Sequence, residues 1–126
     1  MEKEFIPYEQ ALALKELGFD SKEFLSLIFV DDENKFYSPS GWIPNNAMWT
    51  PTFSQAFRWF RDKHKVSGEI TSSFYSEGEE NEWEFNIYQL DKEDEEYNTL
   101  PIFKSYEEAE LECLKKLIEI CKNKKN

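Results

Sequence analysis

Few residues in this chain are of a type and spacing that do chemistry. The sharpest is Glu110. It lies in the pattern Ser105–Cys121, where Tyr106, Ala109, Cys113, Leu117, Ile120 and Cys121 share one face at about 100° per residue. A carboxylate inside an apolar stripe needs a partner or a raised pKa. One reading makes Glu110 an acid poised for proton transfer. The other pairs it with Arg58, Arg61 or a backbone donor between packed helices. A slight rotation of the helix, leaving Glu110 at the stripe edge, is the third. Nothing around it marks a nucleophile or a second acid arranged for catalysis, so the structural pairing is favoured. His64 is the sole histidine, in the last turn of a pattern Phe53, Phe57, Phe60, His64. That position suits packing or capping carbonyls better than catalysis. His64 therefore joins Glu110, Arg58 and Arg61 as a buried polar candidate, and no catalytic or metal-ligating residue is assigned.

The tryptophans are the other candidates. Trp59 points almost opposite Phe57, so either its helix is sandwiched between two layers or Trp59 is an exposed interface anchor. Trp42 and Trp49 sit in or beside a loop, where they clamp a ligand, stack on a base or close the core, the last being favoured. Acidic residues cluster at Glu77, Glu79 and Glu80, and again at Asp91, Glu93, Asp94, Glu95 and Glu96. Neither cluster has calcium-loop spacing. They read as solvated surface or as contacts for a basic partner.

The elements that position these residues follow from local signals. Pro7 opens a helix at its first position, and Gly18 followed by Phe19 closes it as a left-handed cap. Phe24–Val30 is β-rich and ends in the turn Asp31–Asn34, with Lys35–Ser38 as a return strand. Pro39–Asn46 reads as loop. Thr50 caps a second helix with Pro51 at its first position, ending near Lys65. Ile70–Tyr75 and Trp83–Leu90 form a hairpin across Ser76–Asn81, with Trp83, Phe85 and Ile87 on the buried face. Asp91–Glu96 reads as an exposed loop and Asn98–Phe103 as an edge segment limited by Pro101. Ser105 caps the last helix with Glu108 at capping-box spacing. The order is α-ββ-α-ββ-α: an α+β fold, a single compact domain over residues 1–126, with a mainly antiparallel sheet against helices and a frayed basic tail at 122–126.

Composition bounds the partners. Among 126 residues, 33% are charged and 17% aromatic, which predicts a folded chain despite a mean hydropathy of −0.74. Fifteen basic and 26 acidic side chains give a formal charge of −11, which disfavours nonspecific binding to nucleic acid or anionic lipid. Cys113 and Cys121 are about 12 Å apart along one helix, too far for a disulfide, and read as buried thiols of a reducing compartment. No export signal or membrane span is visible, so a cytoplasmic location is expected. No cofactor is expected either.

Three stretches carry a resemblance: FIPYEQALALKELGFD (Phe5–Asp20), PTFSQAFRWFRDKH (Pro51–His64) and YEEAELECLKKLIEI (Tyr106–Ile120). In this order they resemble a family of small phage and prophage proteins of Bacteroidota-type bacteria. They cover the three helices, and the resemblance carries over no catalytic residue. It implies an accessory protein acting in a bacterial host, of the kind that inhibits host defence. The leading expectation is thus a non-enzymatic inhibitor, anti-CRISPR-like or directed at a nuclease, whose acidic face meets a basic host surface. The alternative is a small-ligand or nucleotide-sequestering protein that stacks its ligand on Trp42, Trp49 or Trp59, with Arg58, Arg61, Lys63 and Lys65 on phosphate. An enzyme using Glu110 or His64 ranks last.

Overall fold

The structure is a computed structural model; it describes residues 4–20, 28–73, 82–91, 96–99 and 102–124. The α+β class expected from the sequence is observed, with three helices and antiparallel strands distributed over two three-stranded sheets. The chain divides into two compact units, Met1–Ala56 and Phe57–Asn126.

In the first unit, α1 spans Tyr8–Glu16. Pro7 is its N-cap rather than its first residue, and the Asn34 side chain accepts from Tyr8 N at 2.8 Å. The C-terminus is a Schellman motif: Phe19 N donates to Leu14 O at 3.0 Å and Gly18 N to Lys15 O at 3.0 Å, with Gly18 at φ +103°. Strand β1 (Ile28–Asp31) lies between β2 (Phe36–Tyr37) and β3 (Ala47–Thr50), antiparallel to both. Of the β-rich stretch expected at 24–30, residues 24–27 lie outside the described residues. Strand β3 was not expected. Its four residues are bracketed by Pro44 and Pro51, which read as loop punctuation. Thr50 consequently ends a strand instead of capping a helix, and its buried hydroxyl donates to Ile6 O at 2.6 Å.

Helix α2 (Phe53–Trp59) is capped two residues later than expected, by Thr52. Gln55 N donates to Thr52 Oγ1 at 3.1 Å and Thr52 N to Gln55 Oε1 at 2.9 Å, a reciprocal capping box. From Phe60 to His64 the helix continues with π geometry and stops at Lys65, which is left-handed at φ 57°. The π spacing of i→i+5 brings Trp59 and His64 onto one side, with ring centroids 4.7 Å apart.

In the second unit, β5 (Glu82–Gln89) lies between β4 (Val66–Ser73) and β6 (Glu96–Asn98), antiparallel to both. Strand β4 begins four residues before the expected Ile70; Tyr75 and the turn at 76–81 lie outside the described residues. Glu96 belongs to a strand rather than to the expected loop. Phe85 and Ile87 are buried and Trp83 half-buried, as the alternation requires. Helix α3 (Tyr106–Lys124) runs past the expected end, so most of the basic tail is helical. Ser105 Oγ accepts from Glu108 N at 3.1 Å, while Glu108 turns its own carboxylate to Lys104 N at 3.4 Å. Its buried face is Ala109, Cys113, Leu114, Leu117, Ile118 and Cys121. That face is rotated from the expected stripe: Leu114 and Ile118 enter it, while Tyr106 is 41% exposed. Packing against β4 is close enough that a β-carbon on Gly68 would stand 2.8 Å from Cys113 Sγ.

Candidate functional site

The rotation of α3 settles Glu110. It lies at the edge of the buried face, half-exposed, and interacts with the Tyr106 hydroxyl one turn earlier. Burial raises its pKa; the Tyr106 interaction opposes that, and the Glu107 charge adds to it. The expected partners Arg58 and Arg61 are both exposed, and Arg61 lies 4.0 Å from Asp62. They are not buried polar residues. Below Glu110, burial pushes the Cys113 thiol up to about 12. A thiol so reluctant to ionise is a poor nucleophile.

Trp59 is 4% exposed, which corrects its candidacy as an interface anchor. Its ring meets Phe60 edge-on at 5.1 Å and His64 at 4.7 Å, so the expected Phe stripe gains Trp59 through the π turn. His64 is half-buried in that cluster. Trp49 packs against Phe19 with centroids 5.4 Å apart. The three tryptophans proposed to hold a ligand thus meet different rings: Tyr37 for Trp42, Phe19 for Trp49, and Phe60 and His64 for Trp59.

Trp42 is different. It is 77% exposed, which overturns the core reading for it. What holds it is legible from Asp31 outward. Asp31 ends β1, and its Oδ1 accepts from Glu33 N at 2.9 Å and Lys35 N at 3.0 Å. Oδ2 accepts from the Tyr37 hydroxyl at 2.8 Å. The carboxyl is held below its ordinary range, chiefly by the Lys35 backbone bond, against the opposing effect of desolvation. Its 4% exposure comes from the turn wrapped around it rather than from depth in a core. Tyr37, fixed by that bond, meets the Trp42 ring edge-on at 6.3 Å. Lys35 Nζ lies 5.9 Å from the Tyr37 centroid. The loop is tied by Gly41 N donating to Ser38 O at 3.1 Å and by the Ser38 and Ser40 hydroxyls at 2.9 Å. Exposed Asp32 and Glu33 share the same hairpin, and Asp32 accepts from Asn46 Nδ2 at 3.0 Å. An indole so presented buries substantial apolar area on contact, and the exposed carboxylates of the same hairpin favour a cationic partner.

Tyr37 and Asp31 were not among the sequence candidates. The available signal was the Asp31–Asn34 cluster, whose first aspartate forms an Asx-type turn. Of the acidic candidates, Asp91 and Glu96 are exposed; Glu77, Glu79, Glu80, Glu93, Asp94 and Glu95 lie outside the described residues. Among the described residues, no group of three or more His, Cys, Asp or Glu side chains is placed to hold a metal ion, and no helix is long and apolar enough to cross a membrane. Comparison with known proteins finds no matching family model, curated protein or solved structure.

Proposed function

We propose that the protein is a non-enzymatic binding protein whose partner is a basic host protein, in keeping with an inhibitor of a bacterial defence component. The single observation that carries the binding reading is Trp42: an indole 77% exposed, on a tied loop, in a chain of charge −11. Tryptophan is enriched among the residues that dominate interface energies. The acidic surface supplies steering toward a basic partner and makes association sensitive to salt. The defence-inhibitor assignment rests on the phage-family resemblance of the three helical stretches.

The experiment is a tagged capture from defence-competent bacterial lysate with wild type and Trp42→Ala in parallel, washed at low and moderate salt. A stoichiometric nuclease or CRISPR component, retained by wild type at low salt and lost both at moderate salt and with Trp42→Ala, is the expected result. A partner retained equally by Trp42→Ala would remove Trp42 from the interface, and an empty capture would count against the protein-partner reading. The nucleotide-binding alternative keeps only Trp42 as an accessible stacking surface, since Trp59 is buried and Trp49 covers Phe19.

A further inference from the structure

The second unit carries a different open surface. A groove of about 310 Å³ lies between β6 and α3. Phe85, Tyr97, Thr99, Ile102 and Phe103 line it on the sheet side, and Glu112, Lys115, Lys116 and Glu119 on the helix side. Phe85 is stacked between Tyr97 and Phe103, each with centroids 5.9 Å away. Tyr97 and Ile102 are 42% and 63% exposed, so this aromatic floor opens to solvent.

Strand β6 is the outer strand of its sheet, and among the described residues nothing pairs with its far side. Thr99 N donates to Phe85 O at 3.0 Å, and Tyr97 stands opposite Ile87. Antiparallel alternation then turns the backbone N–H and C=O of Asn98 outward, away from β5. An outward-facing pair beside an apolar groove is the arrangement by which a sheet accepts an extended peptide as an added strand.

The chain itself shows which side chain the groove accepts. Lys116 Nζ lies 4.6 Å from the Tyr97 centroid and 3.4 Å from Glu119 Oε2, a cation held between a ring face and a carboxylate. Lys115 pairs with Glu112 at 3.1 Å. Each lysine is thus already ion-paired within the helix, and Glu96 at the start of β6 adds an exposed carboxylate beside the groove. We propose that this groove docks an extended lysine- or arginine-bearing segment of a partner protein, which adds as a strand to β6 and lays a cationic side chain over Tyr97 in place of Lys116. This surface is independent of Trp42 and is tested without it.

The probe is a fluorescein-labelled peptide alternating lysine and valine, titrated with the full chain and read by polarisation. Its glutamate–valine counterpart and a version N-methylated at alternate residues are the controls. The expected result is binding of the lysine peptide alone. N-methylation blocks strand pairing but keeps the charge, so it separates docking from simple attraction to an acidic protein. Tyr97→Ala weakens binding roughly tenfold. Lys116→Met tightens it a few-fold, because it removes the internal competitor and frees Glu119. Equal binding of the N-methylated peptide, or of the glutamate peptide, overturns the proposal even if Tyr97→Ala does not fold.

Discussion

Two carboxylates in this chain have opposite electrostatic situations, and their pH signatures should differ in sign. Glu110 is held above its ordinary value of 4.5 by burial. Between that value and the raised one the folded chain binds more protons than the unfolded chain, so stability falls as pH rises through the window. At neutral pH the ionised carboxylate is a net cost. Glu110→Gln keeps an acceptor for Tyr106 and removes the charge. We expect a modest rise in thermal midpoint at pH 7 that vanishes below about pH 4, measured by circular dichroism. Asp31 is the reverse case. Its carboxyl is held below 3.8 by three hydrogen bonds, so its contribution is present above that value and lost as pH falls through it. Asp31→Ala should lower the midpoint at pH 7 and much less at pH 3. It should also broaden the Trp42 environment, since Tyr37 loses the bond that fixes it. A midpoint deficit for Asp31→Ala that does not change with pH would mean that packing, rather than the ionised acceptor, holds the turn.

Between elements, β4 packs closely against α3 at Gly68. A methyl group on Gly68 would stand 2.8 Å from Cys113 Sγ and 3.2 Å from Leu117 Cδ1, both on the buried face of the helix. Gly68→Ala should therefore destabilise by about 1–3 kcal/mol through overpacking. Cys113→Ala removes the nearer obstacle at the expense of a small cavity. The double variant should be more stable than the two single effects predict, with a coupling of at least about 0.5 kcal/mol by denaturant unfolding. Simple additivity would show that the strand shifts away instead. This contact was not legible in the sequence, where Gly68 served only as a helix-stop signal. Other features were. Gly18–Phe19 and Ser105–Glu108 are local hydrogen-bond patterns written in adjacent residues, and both occur as expected. The rest was not written in adjacent residues. Strand β3 is defined by its pairing with β1, a partner distant in sequence, and of its four residues only Trp49 and Thr50 favour a strand on their own. For Trp59 the spacing left a sandwiched and an exposed position open, and only its burial selects the first, while the π turn that follows adds His64 to its side. The Trp42 site was half legible: the loop and its tryptophan could be found, but its exposure depends on Asp31 and Tyr37, which only tertiary structure brings together.

At the scale of the whole molecule, the charge of −11 and the exposure of Trp42 make a joint prediction about the field at the proposed contact. Asp32 and Glu33 in the turn after β1 are exposed, and Lys35 is the basic residue of that hairpin. The potential over Trp42 should be negative, and it should be screened within about 10 Å at 0.1 M salt. Collisional quenching of tryptophan fluorescence reads that sign directly. At low ionic strength caesium should quench the accessible fraction more, and iodide less, than each quenches free tryptophan amide. The two ratios should converge near 1 M salt, where the screening length falls to about 3 Å. Trp42→Ala should remove most of the quenchable signal, because Trp59 is buried and Trp49 and Trp83 are half-covered. Its effect on stability should stay within about 0.5 kcal/mol, as for other exposed positions. If iodide quenched Trp42 as readily as caesium after this normalisation, the net charge would not be felt where the indole is presented. A basic partner would then have no electrostatic reason to arrive at that face, and the acidic-interface proposal would lose its basis even with Trp42 exposed.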